Sequence, residues 1–475
     1  MYQAIVLGCA AALVASLTVS LRKKASALKT VLKIITLLFC AVGFFRYLLP
    51  DAIVNVINGI WKSGVYYTTY DYPGVTVRWG YYTCYAVLPM AVFFDSRFFK
   101  NMAVYFCLPF SILSTVFFGD FMRYFLDQRA PGFRIDEALR YAYFIFELVL
   151  AISIPLILAI SERHVFAFRD KHEWARFLVG APFVLLAMIP VYLPAAFFGQ
   201  NSLQPAYFGT YHLTWLAGLL VVTLGLYYAF RFRSYKDRYM LCVFLTLVLF
   251  FHYQSLYLMG VTIKRLPFQL CNIAAYFYMI AVIFKLKKMF HFCFLVNTVG
   301  TLFAILAPDF AYGNFGFWNV HYIIEHSYVL IIPALCMGLR IFPRISKRSL
   351  FYALVGFTAY ITFAYTVGTV LNGYSDVTGE RVNYFFMFDF DTAYDYFPFL
   401  KFIEKTRWEF GRFELYPLVF PVVYAAFSLL YVLFFFAVRL FYKMEDDHLE
   451  LRLSAIELRE KLTGRKSRRP REFKD

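Results

Sequence analysis

The chain has 475 residues, of which 61% are hydrophobic and 16% charged, and its mean hydropathy is +0.60. Soluble domains are closer to half apolar and a quarter charged, so this composition excludes a soluble globular protein and predicts an all-α polytopic membrane protein. The net charge of +17 does not require nucleic acid, because Lys and Arg in inner loops and in a tail suit an anionic inner leaflet at about 1 kcal/mol per cation.

In chain order, the apolar runs predict about thirteen transmembrane helices, each long enough to cross the hydrocarbon core. Continuous rather than alternating runs favour helices over a barrel. The expected spans are about 2–20, 30–49, 80–95, 101–119, 138–160, 177–198, 208–230, 239–259, 266–284, 289–307, 320–339, 349–370 and 416–438.

The basic residues alternate between the two sides of these spans. The first span has no basic residue before it, which favours a retained anchor over a cleaved signal peptide. Because basic residues stay inside, the N-terminus is expected outside and the C-terminus in the cytosol. Basic clusters follow spans one, five, seven, nine and eleven, at 22–29, 163–176, 231–238, 285–288 and 340–348.

An internal repeat relates two halves of the chain. Residues 83–120 and 270–309 each have a cysteine at their second position, cross a short basic turn and end with an aspartate. Further on, Glu147 and Glu325 each lie eight residues before a proline. The pattern predicts two same-orientation six-helix repeats plus one C-terminal helix. The expected parts are a degenerate first unit (1–200), a second unit with the candidate site (205–390), an outer loop with the last span (391–442), and a basic cytosolic tail with an amphipathic helix (443–475).

The eight cysteines are scattered singly along the chain. They form no CxxC pair and no Cys/His cluster, so neither a disulfide framework nor a metal site is expected. A glycine-rich phosphate loop does not stand out either, and we expect no cofactor.

Polar residues in the second copy predict a site near the outer membrane surface. Cys271 lies near the start of span nine, where Pro267 would occupy the first helical turn and fix the height of the thiol. A lone cysteine in a span is more often a small hydrophobe, whereas an intramembrane histidine such as His326 is by default functional. Histidines nearer the interface are equally well explained by hydration. The accompanying candidates are His212, His321, Tyr322, Asp309, Asn383 and Tyr384.

Five short motifs, in one order, resemble a known family. They are YHLTW (211–215), LPFQLCNI (266–273), GTLFAILAPD (300–309), VHYIIEHSYVLIIP (320–333) and VNYFFM (382–387). Over about residues 205–390 the chain is similar to bacterial YwaF-type integral membrane proteins and to the eukaryotic transmembrane protein 164 family. It departs from them at Gln269, where many relatives have a histidine.

The resemblance implies a lipid acyltransferase in which a cysteine in the position of Cys271 takes part. We expect His326 to remove the thiol proton and Cys271 to attack an acyl ester of a phospholipid in the outer leaflet. The hydroxyl of a second lipid would then take the acyl chain, and Asn383 or a backbone amide would stabilise the oxyanion.

Two other functions fit parts of the sequence. Duplicated halves are typical of transporters, so a transporter or flippase of lipids or small substrates is one alternative, with Pro155 and Pro333 in its favour. A non-catalytic envelope assembly scaffold is another, because helix 448–462 has apolar stripes that suit a membrane surface or a protein partner. The expected location is multi-pass in a membrane, the plasma membrane of a bacterium or an endomembrane of a eukaryote.

Overall fold

The structure is a computed structural model that describes residues 2–46, 72–116, 137–162, 170–191, 193–199, 203–259, 262–388 and 401–463. Three features of the sequence lie outside these residues: most of the 119–137 connection, the basic residues Arg163 and Arg169, and the basic tail 465–471.

The described part of the chain is almost entirely helical, as predicted, with one short hairpin. Its helices are α1 (Tyr2–Leu21), α2 (Ala25–Arg46), α3 (Tyr72–Tyr82), α4 (Cys84–Phe93), α5 (Arg97–Met102), α6 (Leu108–Val116), α7 (Glu137–Ser161), α8 (Lys171–Ala187), α9 (Leu193–Phe198), α10 (Thr210–Phe230), α11 (Tyr235–Gln254), α12 (Leu270–Ile283), α13 (Lys287–Phe292), α14 (Thr298–Leu306), α15 (Phe317–Gly338), α16 (Lys347–Gly373), α17 (Ser375–Thr378), α18 (Lys401–Glu404) and α19 (Val419–Thr463). The hairpin pairs β1 (Trp408–Phe410) with β2 (Phe413–Leu415).

Ten helices in the described residues are long and apolar enough to span a membrane. Each matches one of the thirteen predicted spans. The other three predictions, 80–95, 177–198 and 266–284, fall on shorter helices that include α4, α8 and α12. α12 has 14 residues, which extend over roughly 21 Å at 1.5 Å per residue, less than the hydrocarbon thickness. Hydropathy alone did not register these breaks, because the residues at and around each break are mainly apolar.

The chain forms two compact units. The first comprises Met1–Pro205, Leu247–Val261 and Phe310–Ile324, and the second comprises Ala206–Thr246, Thr262–Asp309 and Glu325–Asp475. Each unit is described separately below.

The first unit is built around α7, against which α1, α2 and α6 pack. Glu147 of α7 is completely buried, and its carboxylate accepts hydrogen bonds from the phenol groups of Tyr81, at 2.9 Å, and Tyr85. Such partners offset the large cost of burying a carboxylate among apolar side chains. Tyr85 also stacks on Phe39 and Phe251. The hydrogen-bond partners of the Glu147 carboxylate therefore lie in the packed interior of the first unit.

In the second unit, α16 contacts α13, α19 and β2. The hairpin turns at Gly411, whose φ of +59° favours glycine. The predicted amphipathic segment 448–462 continues the last span, because α19 runs without a break from Val419 to Thr463. Arg344 is attached to α19 by an ion pair with Glu445 at 2.9 Å and a hydrogen bond to the Tyr442 carbonyl.

Each unit contains the same interrupted helix. In the first, six residues of α5 lead into a five-residue π turn, Ala103–Cys107, and then into nine residues of α6. In the second, six residues of α13, the π turn Cys293–Asn297 and nine residues of α14 repeat these lengths. π turns are rare and frequently mark functional sites. The two interrupted helices lie within the repeated segments 83–120 and 270–309 of the sequence analysis.

Candidate functional site

Cys271 lies in the first turn of α12, as the sequence predicted for the start of span nine. Pro267 was expected in this first turn, and that expectation is wrong, because the helix begins at Leu270 with Gln269 as its N-cap. The backbone of Gln269 is extended, and its carbonyl accepts the first helical hydrogen bond, from the Ile273 amide at 3.0 Å. Pro267 therefore lies in the connection that precedes the helix.

The Cys271 side chain is half-buried and lies among polar groups. Its thiol donates to the side-chain oxygen of Asn272 at 3.2 Å, and it shares the first helical turn, whose backbone N–H groups have no partner within the helix, with Asn272. The sulfur is within electrostatic range of the Glu325 carboxyl group and of the Tyr360 phenol. The N-terminal turn of a helix favours negative charge, so its backbone N–H groups can stabilise an oxyanion at this position.

Asn297, the last residue of the second π turn, fixes the start of α12. Its side-chain amide donates to the Leu270 carbonyl at 2.6 Å, and only 1% of the residue is exposed. In the first unit, the last residue of the π turn is Cys107, whose carbonyl lies 4.0 Å from the sulfur of Cys84. In both units the π turn thus meets the helical turn that carries the repeated cysteine.

Three predicted residues, Gln269, Asn383 and Tyr384, lie together beside this turn. The Gln269 amide donates to the Asn383 carbonyl at 2.9 Å and accepts from the Phe385 amide at 3.0 Å. The Tyr384 hydroxyl donates to the Ile263 carbonyl. We call residues 383–388 the outer strap, after the side of the membrane on which the sequence predicts them.

The outer strap holds an unfavourable backbone conformation. Phe385 and Phe386 have φ values of +54° and +55°, which are uncommon for residues with a bulky side chain. The Asn383 side-chain oxygen accepts from the Phe388 amide at 3.0 Å, and Phe385 is buried against Phe357 and Phe427. These contacts give Asn383 and Gln269 a structural role in holding the outer strap. The backbone amides of the first turn of α12, which contains Cys271 itself, are better placed than Asn383 to stabilise an oxyanion at the sulfur.

We expect Gln269→Leu to destabilise the protein, because two hydrogen bonds to the outer strap are lost. At about 0.5–1.5 kcal/mol each, the loss is about 1–3 kcal/mol. Thermal unfolding in detergent measures it. Thr362→Val is the control, since the Thr362 hydroxyl is exposed and donates to the Thr358 carbonyl within α16, and this variant should unfold at the wild-type temperature. A Gln269→Leu variant as stable as the control would contradict the assigned role.

His326 is buried on α15, with 4% of its surface exposed. It follows Glu325 directly, so the two Cα atoms are about 3.8 Å apart, and the Glu325 carboxyl group is within electrostatic range of the Cys271 thiol. The next residue, Ser327, accepts a hydrogen bond from the Trp215 indole at 2.8 Å, which ties α15 to α10. A histidine in an apolar helix is the type of group that performs proton transfer in membranes.

The remaining predicted residues have other surroundings. His212 accepts from the Phe208 amide at 3.0 Å through Nδ1 and therefore donates through Nε2 to the Ile305 carbonyl at 2.8 Å. This arrangement joins the start of α10 to the end of α14. Asp309 is exposed.

His321 and Tyr322 belong to the first unit. There, the His321 ring stacks on His252, with ring centroids 5.1 Å apart, and Tyr322 meets the edge of Phe310.

Three polar residues of the second unit were not among the predicted site residues. Asn272 and Asn297 are buried beside the start of α12, and Glu325, with 3% of its surface exposed, lies near the thiol. A polar residue inside an apolar run is the signal that would have found them. Glu325 had been noted only as the partner of Glu147 in the repeat.

Residues 207–438 match the model of the TMEM164 family. The predicted resemblance to this family is therefore confirmed, and it reaches beyond residue 390 into the last span. No curated protein and no solved structure matches the chain. Within the described residues, no group of three or more His, Cys, Asp or Glu side chains is placed to hold a metal ion.

Proposed function

We propose that this multi-pass membrane protein, which carries the TMEM164 family pattern over residues 207–438, transfers a fatty acyl chain between lipids through Cys271 and His326. One observation supports this most strongly. A half-buried thiol lies in the N-terminal turn of α12, beside backbone N–H groups and within electrostatic range of α15. An inert cysteine in an apolar helix needs none of these polar neighbours.

In the first half of the reaction, His326 takes the thiol proton and the sulfur attacks the carbonyl carbon of a phospholipid ester. A carbon–sulfur bond forms, the carbon–oxygen bond of the ester breaks, and the imidazolium returns the proton to the departing lysolipid oxygen. The products are a lysophospholipid and an acyl thioester on Cys271.

In the second half, the hydroxyl group of an acceptor lipid attacks the thioester. The new ester bond forms, the carbon–sulfur bond breaks, and the proton of the hydroxyl ends on the sulfur. Both halves pass through a tetrahedral oxyanion, which the backbone amides in the first turn of α12 can stabilise. The overall reaction exchanges one ester bond for another, so it requires no oxidant and no external source of free energy.

The apolar helices around the site make a membrane lipid the natural substrate. α10 exposes Leu213, Leu220 and Val221, among others, as a helix facing lipid does. A phospholipid in the leaflet at the depth of Cys271 can reach the thiol with its ester group near the headgroup boundary.

The proposal is tested with purified protein in phosphatidylcholine vesicles. The donor carries a labelled acyl chain, the acceptor is lysophosphatidylcholine, and mass spectrometry follows the label. We expect labelled phosphatidylcholine to form from the acceptor at a rate proportional to protein. If the protein instead moves labelled lipid between leaflets without exchanging acyl chains, the transporter alternative is correct.

A further inference from the structure

The two units have a buried hydroxyl group at the same repeated position. In each unit a five-residue π turn leads into a nine-residue helix, α6 in the first and α14 in the second. The fourth residue of that helix is Ser111 in α6 and Thr301 in α14. Both are buried, with 0% and 1% of the residue exposed.

In the first unit this hydroxyl group lies beside the repeated cysteine. The oxygen of Ser111 is 3.7 Å from the sulfur of Cys84, which belongs to the first turn of α4. The sulfur is completely buried as well. The contact shows that the fourth residue of α6 faces the helical turn that carries the cysteine.

In the second unit the same surfaces pack together. The residue before Cys271 is Leu270, whose carbonyl accepts from the Asn297 side-chain amide at 2.6 Å. A Cβ atom added at Gly300 would lie 3.1 Å from the Leu270 side chain. Asn297 and Gly300 precede Thr301 by four residues and by one, so Asn297 shares its face of the helix. These contacts place the Thr301 face of α14 against the first turn of α12.

The Thr301 hydroxyl lacks the bond that a helical threonine often makes. The Thr223 hydroxyl, for example, donates to the carbonyl four residues earlier in α10, at 2.7 Å. Among the residues that the structure describes, no group bonds to the Thr301 oxygen. The Cys271 thiol donates to Asn272 instead. A buried hydroxyl group without a partner is costly, and its proton is available to a bound molecule.

We propose that the Thr301 hydroxyl donates a hydrogen bond to the carbonyl oxygen of the acyl group at Cys271 and, with the first-turn N–H groups of α12, stabilises the tetrahedral oxyanion. This inference rests on the acyl transfer proposed above. One carbon atom separates the carbonyl oxygen from the sulfur, so a donor to that oxygen lies beside the sulfur without bonding to it. The chemical group that Thr301 recognises is the carbonyl of a lipid ester or of the thioester formed from it.

Thr301 keeps its proton throughout the reaction. Negative charge develops on the carbonyl oxygen as the carbon–sulfur bond forms, and it passes to the leaving oxygen as the carbon–oxygen bond of the ester breaks. A hydrogen bond to the carbonyl oxygen strengthens while that oxygen is charged, so it lowers the barrier more than it tightens ester binding.

Thr301→Val tests the assignment, because valine has the shape of threonine without the hydroxyl group. Purified protein is mixed with phosphatidylcholine carrying a labelled acyl chain, and intact-protein mass spectrometry gives the initial rate of thioester formation on Cys271. The rate in the variant should fall by about 10²–10³-fold, the usual effect of losing one oxyanion donor. Thr301→Ser retains a donor and should recover most of the rate.

Two measurements on the same variant separate this role from a structural one. Valine replaces a buried hydroxyl group that has no partner in the described structure, so Thr301→Val should unfold at a temperature no lower than wild type. Alkylation of Cys271 by iodoacetamide passes through no oxyanion, and it should proceed at the wild-type rate.

Two matched substitutions serve as controls. Thr223→Val makes the same chemical change at a hydroxyl group that bonds within α10, and Ser111→Ala removes the corresponding hydroxyl group of the first unit. Both variants should form the thioester at the wild-type rate.

A Thr301→Val protein that forms the thioester at the wild-type rate overturns the assignment. An equal slowing of alkylation also overturns it, since the hydroxyl would then act on the thiol or on the fold. So does a Thr301→Ser protein as slow as the valine variant. If wild-type protein forms no thioester, the acyltransferase proposal itself fails, and this inference fails with it.

Discussion

Replacing Cys271 with alanine is expected to reduce acyl exchange to the level measured without protein. The reaction proposed here passes through a covalent bond to this sulfur, and alanine supplies no nucleophile. The variant should fold, because among the described residues the thiol makes one side-chain hydrogen bond, to its neighbour Asn272. Exchange of a labelled acyl chain between phosphatidylcholine and lysophosphatidylcholine, with thermal unfolding measured on the same sample, gives both quantities.

The repeat supplies a matched control for this substitution. Cys84 occupies the corresponding first turn of α4 but is completely buried. Cys84→Ala removes a thiol of equal size from an equivalent position and should retain exchange. Substantial exchange in Cys271→Ala, or equal losses in both variants, would remove the nucleophile from the mechanism.

Replacing His326 with glutamine is expected to slow thioester formation by about 10²–10⁴-fold, the usual contribution of a general acid or base. Glutamine approximates the size of the imidazole but cannot take up a proton at this stage. The quantity to measure is the initial rate of acyl-thioester formation on Cys271, by intact-protein mass spectrometry.

His291→Gln is the control for the histidine substitution. His291 lies on α13, where its ring bonds to the Pro343 carbonyl at 3.0 Å, and glutamine can donate a similar bond. Thioester formation should persist in this variant. An undiminished rate in His326→Gln would mean that another group, with Glu325 the first to test, takes the thiol proton.

Membrane class and helix type followed from the sequence because they depend on length and composition, which hydropathy measures directly. The run at 208–230 and α10, Thr210–Phe230, nearly coincide. The run at 266–284 was predicted as a full span, yet α12 starts only at Leu270 and ends at Ile283. The residues lost at its N-terminal end are mainly apolar, so hydropathy could not distinguish a short helix from a span.

The site was predictable only in part. The sequence indicates Cys271 because it lies at the start of an apolar run, and His326 because it is a polar residue inside one. The contacts that organise the region depend on backbone geometry that residue types do not indicate. Phe385 and Phe386 adopt positive φ without being glycine, and Asn297 reaches Leu270 from a π turn. The sequence does not distinguish a reactive histidine from a structural one. His212 uses both ring nitrogens in hydrogen bonds that join α10 to α14.

The central claim is that an acyl chain becomes attached to the sulfur of Cys271. Its most direct test is peptide mapping of wild-type protein after brief exposure to phosphatidylcholine with a labelled acyl chain and no acceptor. We predict one hydroxylamine-sensitive acyl group on the peptide that contains Cys271, with the other seven cysteines unlabelled. Labelled lipid products formed without any acyl group on Cys271, or label distributed among the other cysteines, would contradict the account.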